Sequence, residues 1–168
     1  MSTESFTKGD AVVYPMHGAG VIEDLEEKNI DGVNCLYYVL RIPIGDLRIL
    51  VAKENIQNSR IRRVLPVCDI EKILGEVCCS QIDLNKKENW SQRHRDNTEK
   101  VKTGCLMDTF SVFYNLYGRE NQKGLSSVEK KLMSTAKKIV LSEIMLSYNA
   151  DKLRAEEILE GHILAKHG

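Results

Sequence analysis

The sequence lacks several features on which a specialised chemistry would depend. Its formal net charge is zero, with 24 basic and 24 acidic residues, so bulk electrostatic attraction to a polyanion is excluded. Its five cysteines show no Cys-x-x-Cys spacing and its four histidines form no His-x-x-x-His pair, which leaves a metal site without support. We interpret the cysteines as reduced, small apolar residues. Any contact with nucleic acid must therefore come from a local basic patch.

Membrane and enzyme signatures are missing too. No apolar run approaches the roughly 20 residues that span a bilayer, so we expect no contact with a membrane. The segment from Met1 to Lys8 is polar, which favours a cytoplasmic protein without a signal peptide. The chain has no Gly-x-Gly-x-x-Gly after a strand, no Walker A pattern, no Gly-x-Ser-x-Gly and no His-Glu-x-x-His. We therefore predict no catalytic residue, no cofactor and no small-molecule substrate.

The first third of the chain has the pattern of short β-strands. The predicted strands are Ala11–Tyr14, Val21–Lys28, Cys35–Ile42 and Leu47–Val51. Between the second and the third, Asp31-Gly32 is a strong signal for a type I′ hairpin turn. Four or five short strands with closely spaced turns suggest a small, strongly bent barrel of the SH3 or Tudor type over residues 1–63. Such barrels commonly serve as interaction modules, and an edge strand can extend a partner's sheet.

From Asp69 onward the apolar residues recur with a helical period. The first predicted helix is Asp69–Ser80, and the second is a polar helix that carries Trp90 and ends near Gly104. A third helix is closed by Gly118. A fourth runs from the capping box at Ser126 to about Ser147, and a fifth is capped by Asp151. The fourth is expected to bury Val128, Leu132, Ala136, Ile139, Val140 and Ile144. These roughly five helices form a compact all-helical domain over residues 64–168, and the fold class is α+β.

Trp90 is the only tryptophan, and it lies in a polar, cationic helix whose sole other apolar residue of note is Val101. One interpretation is core packing, because large aromatic side chains dominate burial. The other is a wedge into nucleic acid, because proteins that kink or open a duplex insert an apolar side chain at a base step and place cations on the flanking phosphates.

Basic residues concentrate in two runs of the helical half. Residues 86–102 carry six Lys and Arg against three acids, and residues 119–138 carry six against two. A charged run on an amphipathic helix is usually only its solvated face. Two such runs in one small domain, one of them with the lone tryptophan, favour a shared phosphate-binding surface.

Four segments of the chain together carry a specific family pattern. They are Phe6–Gly20 (FTKGDAVVYPMHGAG), Val51–Asn55 (VAKEN), Asn89-Trp90-Ser91-x-Arg93 and Gly124-Leu125-Ser126-x-x-Glu129-Lys130. With them the chain resembles the CarD/CdnL family of bacterial transcription regulators over essentially its whole length. The opening pattern alone is shared with the polymerase-binding module of transcription-repair coupling factors. The half that carries the tryptophan separates this chain from those large translocases.

The resemblance implies a Tudor-like N-terminal domain that pairs its sheet edge with the β subunit of bacterial RNA polymerase. It also implies a helical domain that stabilises the open promoter complex, with Trp90 in the minor groove at the upstream edge of the melted DNA. Contact with promoter DNA would be weak, largely independent of sequence, and made by Trp90, Arg93, Arg95, Lys86, Lys87, Lys130 and Lys131. The residues implied at the polymerase are Lys28, Arg48, Ile49 and Leu50.

The chain departs from the family pattern at two positions. Gln92 stands where some relatives carry a second arginine, and Leu50 stands where some place a basic residue that contacts polymerase. Two other classes of function remain open. One is an adaptor that binds polymerase or another protein and never touches DNA. The other is a peptide-binding module whose barrel forms an aromatic cage from Tyr14, Tyr37 and Tyr38.

Overall fold

The computed structural model describes residues 5–80 and 89–167, and in them the chain forms five strands followed by five α-helices. The strands are β1 (Ala11–Tyr14), β2 (Gly18–Ile30), β3 (Val33–Ile42), β4 (Leu47–Ala52) and β5 (Arg62–Arg63). The helices are α1 (Val67–Cys79), α2 (Trp90–Lys102), α3 (Leu106–Gln122), α4 (Ser127–Tyr148) and α5 (Lys152–His167). This order confirms the predicted α+β class.

The strands form one antiparallel sheet in the order β4-β3-β2-β1-β5. Its longest hairpin joins β2 to β3 through Asp31 and Gly32, whose φ angles of 52° and 81° are those of a type I′ turn, as predicted. The register between these strands shifts between Ile22 and Asp24, and such a bulge bends and twists a sheet. Within residues 5–80 the ladder of strands ends at β4 and at β5, so the predicted barrel has two edges.

The sheet encloses a small core of its own on one face. Tyr38, Leu40 and Ile42 alternate along β3 and are almost fully buried, as the two-residue period of a strand requires. Phe6 and Ile56 pack against the same cluster from outside the strands. A separate and larger cluster lies among the helices, with Phe110 at 0% exposure. No helix in the described part of the chain has both the length and the apolarity needed to cross a membrane.

Two predictions about the helices were wrong. Gly118 does not close α3, which continues to Gln122; the turn is made by Gly124, whose φ of +77° breaks the helix and whose amide donates to the Arg119 carbonyl. Val128 is 45% exposed, although its pattern placed it on the buried face of α4. The next residue, Glu129, faces inward instead and is 1% exposed. Hydrophobicity alone misses this, because it assigns a carboxylate to solvent; the helical spacing of Glu129 has to be considered as well.

The helical half packs directly on the sheet. The backbone amide of Ala19 in β2 donates to the Ser142 hydroxyl of α4 at 2.8 Å, and the Ser147 hydroxyl of α4 donates to the Leu65 carbonyl at 2.6 Å. A Cβ atom at Gly104, between α2 and α3, would lie 2.8 Å from the ring of Pro15, between β1 and β2. This close approach requires glycine, and it holds the end of α2 against the sheet.

Candidate nucleic-acid interface

Trp90 is the first residue of α2 and remains exposed. Asn89 precedes the helix in an extended conformation, and its side chain accepts a hydrogen bond from the amide of Ser91 at 3.0 Å. The cap fixes where the helix begins and therefore where the indole leaves the backbone. The indole is 44% exposed, whereas Val101 at the other end of α2 is 1% exposed. The exposure of Trp90 thus argues against core packing, the first of the two interpretations.

Two contacts hold the indole in place. Its Nε1 donates to the Ser126 hydroxyl at 3.1 Å. Its ring stacks on the imidazole of His94, one turn along α2, with the ring centres 5.9 Å apart and the planes 8° from parallel. Because one face and the N–H edge are occupied, the remaining surface of Trp90 is a rigid apolar projection.

Arg93 lies beneath this surface. Its side chain is 14% exposed, and its Nε and Nη2 atoms lie 2.8 and 2.7 Å from Oε1 of the buried Glu129. A guanidinium that spends two donors on a buried carboxylate is part of the scaffold. We therefore leave Arg93 out of the phosphate-contacting set that the resemblance implies and assign it to the support of Trp90.

Two helices begin at the same corner of the domain. Trp90 starts α2, and its indole touches Ser126, which caps α4. The first turn of α2 contains no acidic residue. The free amides of a helix N-terminus carry partial positive charge and suit phosphate, so the start of α2 contributes favourable charge beside the exposed indole, whereas the first turn of α4 contains the acidic Glu129.

Of the other basic residues implied at DNA, three lie in the described part of the chain. Arg95 and Lys131 are exposed, and the exposed Lys130 has its Nζ 3.7 Å from Oε1 of Glu120. Lys86 and Lys87 lie outside the described residues. Gln92, where the resemblance leads us to expect arginine, donates to Asp96 at 2.9 Å. Of the basic residues implied at DNA, those whose exposure in the described part of the chain fits a phosphate contact are Arg95, Lys130 and Lys131.

The candidate polymerase surface is the outer edge of β4. Leu47 and Leu50 are 46% and 36% exposed there, while Ile49 is partly buried against the core of the sheet. Arg48 is exposed and its Nη2 lies 2.6 Å from Glu26, so most of its charge is balanced locally. Lys28 is exposed on β2 opposite Cys35, beyond the last residue pair of β3 and β4. Leu47, Ile49 and Leu50 thus form the edge, and Lys28 stands apart from it.

The aromatic cage of the peptide-binding alternative does not form. Tyr37 and Tyr38 are neighbours on β3, so their side chains point to opposite faces of the sheet. Tyr38 is 2% exposed, and its hydroxyl accepts from the amide of Phe6 at 3.3 Å inside the core. Tyr14 stacks on His17 with ring centres 4.6 Å apart. A ligand cannot reach the three rings together, and the burial of Tyr38 contradicts the peptide-binding alternative that depended on them.

Sequence reasoning identified the capping box at Ser126 and Glu129 but missed its role in the site. The structure contains both halves of that box, and its two residues also receive Trp90 and Arg93. One signal was available. Glu129 lies three and seven residues before Leu132 and Ala136, which places it on their buried stripe. A carboxylate in such a stripe requires a cationic partner.

Comparison with known proteins gives matches over both halves of the chain. A family model for the CarD-like/TRCF RID domain matches residues 6–65, and a model for the C-terminal domain of CarD matches residues 79–160. The chain is 34% identical over 139 residues to a protein of Bacillus subtilis (strain 168) named "Putative transcription factor YdeB". That match covers 83% of this chain and 90% of the relative.

Proposed function

The chain belongs to the CarD family of transcription factors, and from this premise we propose that it stabilises the open promoter complex by inserting Trp90 into the minor groove at the upstream edge of the melted DNA. The observation that carries the proposal is the position of Trp90. The only tryptophan of the chain is 44% exposed where two helices begin, and a buried ion pair holds its surroundings rigid. An exposed aromatic side chain, held by contacts to Ser126 and His94 and with the start of α2 beside it, is suited to a base step flanked by phosphates.

The mechanism is differential binding. A wedge that fits only distorted or opened DNA binds the open complex more tightly than the closed complex, and it shifts the equilibrium by that difference. Stacking of an aromatic side chain on a base is worth about 1–3 kcal/mol. The lifetime of the open complex would accordingly rise roughly 5- to 100-fold when Trp90 is in place.

The zero net charge is compatible with this role. With 24 basic and 24 acidic residues, the chain has no net charge to attract DNA over long range, so its contact with DNA would come from a few exposed cations such as Arg95, Lys130 and Lys131. Attachment to polymerase supplies a high effective concentration at the promoter, so the contact with DNA needs little affinity of its own. Contacts to phosphates and to the minor groove also carry little sequence information.

We assign the polymerase contact to the N-terminal half. Residues 1–63 would bind the β subunit by aligning the outer edge of β4 with a strand of the partner, and residues 64–168 would reach promoter DNA. Edge-strand addition gives affinity through backbone hydrogen bonds and specificity through side chains such as Leu47 and Leu50. The protein would then act in the cytoplasm, at the nucleoid, through its attachment to polymerase.

The test is the Trp90→Ala variant in the full chain. Because Trp90 is 44% exposed and lies outside both hydrophobic cores, we expect the variant to stay folded, to bind polymerase normally and to shorten the open-complex lifetime roughly 5- to 100-fold. Thermal melting, polymerase binding and the decay of open complexes are measured on the same preparation. A core tryptophan would instead cost about 3–5 kcal/mol of stability.

Two results would contradict the proposal. A large loss of stability with unchanged decay kinetics per folded molecule would make Trp90 a packing residue. Normal folding, normal polymerase binding and an unchanged open-complex lifetime would favour the adaptor that binds polymerase and never touches DNA.

A further inference from the structure

The Ser126 hydroxyl uses all of its hydrogen-bonding capacity. It accepts from the indole Nε1 of Trp90 at 3.1 Å and from the backbone amide of Glu129 at 3.3 Å, and it donates to Oε2 of Glu129 at 3.3 Å. A serine hydroxyl offers one donor and two acceptor sites. Any rotation of the Ser126 side chain that released the indole would therefore also break the cap of α4.

Glu129 cannot relax to accommodate such a rotation. It is 1% exposed, and Oε1 receives both Nε and Nη2 of Arg93 while Oε2 receives the Ser126 hydroxyl. A buried carboxylate that loses its donors is strongly destabilised, so the side chain has one favourable arrangement. Glu129, which anchors Ser126, is therefore held in position by its own partners.

These contacts form a closed ring between two helices. Trp90 and Arg93 are three residues apart and lie on one face of α2; Ser126 and Glu129 are three residues apart at the start of α4. Trp90 binds Ser126, Ser126 binds Glu129, and Glu129 binds Arg93. Movement of the indole away from this corner would require the ring to open.

The ring also determines what Trp90 offers to DNA. Its only polar group, the indole N–H, is already donated to Ser126, and one ring face rests on His94. The exposed remainder is apolar and has no donor for a base edge. A side chain held in one rotamer before binding also loses less conformational freedom when it inserts.

We propose that Ser126, anchored by Glu129 and Arg93, is a positioning residue that holds the Trp90 indole in the orientation used for insertion and occupies its N–H, so that the wedge meets DNA preoriented and without base preference. This inference rests on the function proposed for Trp90. Ser126 acts through Trp90 and makes no contact with the reacting DNA itself.

The experiment compares three variants of the full chain. Ser126→Gly removes the hydroxyl while glycine remains an acceptable helix cap, and Ser126→Thr keeps the hydroxyl. Asp151→Gly is the matched control: the Asp151 side chain caps α5 by accepting from the Arg154 amide at 2.8 Å, far along the chain from Trp90. Ser126→Gly and Asp151→Gly each alter one cap, and Ser126→Gly in addition removes the contact to the indole and the hydrogen bond to Oε2 of Glu129.

Two quantities are measured on each variant. Because Trp90 is the only tryptophan, the emission spectrum and anisotropy of the free protein report the indole alone. The lifetime of open complexes formed with polymerase and promoter DNA reports the effect of inserting Trp90 into the DNA. We expect Ser126→Gly to red-shift the emission, lower the anisotropy and shorten the lifetime roughly 2- to 10-fold, the value of one hydrogen bond. In Ser126→Thr and Asp151→Gly, the Trp90 fluorescence and the open-complex lifetime should stay close to those of the natural chain.

The outcomes separate this inference from the function on which it rests. If Trp90→Ala shortens the open-complex lifetime but Ser126→Gly does not, the wedge stands and the positioning role is overturned. Unchanged fluorescence in Ser126→Gly overturns the positioning role as well, and so does an equal effect of Asp151→Gly on the lifetime. If Trp90→Ala itself leaves the lifetime unchanged, the proposed function and the inference fall together.

Discussion

The guanidinium of Arg62 in β5 and the carboxylate of Glu143 in α4 meet in a two-point ion pair, with Nη1 2.7 Å from Oε1 and Nη2 2.8 Å from Oε2. The Glu143 side chain is 1% exposed, and that of Arg62 is 26% exposed. The Nε of Arg62 also donates to the Gly104 carbonyl, just beyond the end of α2, at 2.8 Å. One side chain of the sheet thereby holds both α4 and the helix that carries Trp90.

Replacement of Arg62 by Met should therefore destabilise the whole chain. The change leaves the Glu143 carboxylate buried without its cation, and loss of one partner from a buried pair costs about 3–5 kcal/mol. The free energy of unfolding would be measured by denaturant titration. The double variant Arg62→Met with Glu143→Leu should recover part of the loss, because no charge is then left buried.

A control for this prediction lies next to Arg62 on the same strand. The side chain of Arg63 is 57% exposed and pairs with Asp10 at 3.3 Å, so Arg63→Met should change stability by only about 1 kcal/mol or less. Equal losses of stability in Arg62→Met and Arg63→Met would contradict the prediction, because the buried ion pair between the sheet and α4 would then contribute no more than an exposed one.

Leu50 offers a test of the polymerase surface. It is exposed on the edge strand β4, at a position where the resemblance leads us to expect a basic residue. If the resemblance holds at this edge, Leu50→Arg should restore a basic contact and tighten polymerase binding, whereas Leu50→Glu should weaken it, each by about tenfold in Kd, or about 1.4 kcal/mol. Leu153→Glu, at a 67% exposed position of α5, makes the same change elsewhere and should leave Kd unaltered. Opposite signs for the two Leu50 variants are the decisive result.

Acid should weaken the attachment of the N-terminal segment. The pKa of Asp10 is held below its ordinary value of 3.8, chiefly because the amide of Thr7 donates to its carboxylate, with Arg63 as a further cause. The folded pKa is the lower one, so this contribution to stability is complete above the unfolded pKa and disappears as pH falls through the folded value. Asp10→Asn should thus lower the free energy of unfolding at neutral pH, and the gap to the natural chain should close in acid. A gap that stays constant with pH would contradict the assignment.

Local sequence signals predicted much of the fold. The turn at Asp31-Gly32 has the backbone angles its residues favour, and the cap at Ser126 starts α4 where the pattern placed it. Both follow from chemistry within a few residues of the chain. The prediction that Gly118 ends α3 was wrong because glycine disfavours helices only on average, and the packing of α3 extends past it.

The candidate site was predictable only in part, because its contacts join distant segments. The polar surroundings of Trp90 indicated an exposed aromatic side chain, and it is exposed. The partner of Arg93 could not be inferred in the same way. Arg93 and Glu129 are 36 residues apart, and nothing local distinguishes an arginine that binds phosphate from one that binds a buried carboxylate. Arg62 and Glu143, 81 residues apart, show the same difficulty.

The last prediction concerns the salt dependence of DNA binding, which separates an arginine that binds phosphate from one that binds a buried carboxylate. Each phosphate contact that is lost should reduce the slope of log K against log salt by about one unit. Charge removal at the exposed Arg95, by Arg95→Gln, should flatten the slope, and charge reversal at Lys130 or Lys131 should do so and weaken binding to all sequences alike. Lys152→Glu on α5, which packs against α1 and α4, is the control for a general charge effect.

Arg93→Gln should behave differently from all of these. It removes the same unit of charge as Arg95→Gln, but its guanidinium is bound to Glu129 and not available to phosphate. We expect an unchanged salt slope together with altered Trp90 fluorescence and lower stability, because the ring that supports the indole has lost a member. If Arg93→Gln instead flattens the slope by about one unit and leaves the fluorescence as it was, Arg93 leaves Glu129 on binding and contacts DNA directly.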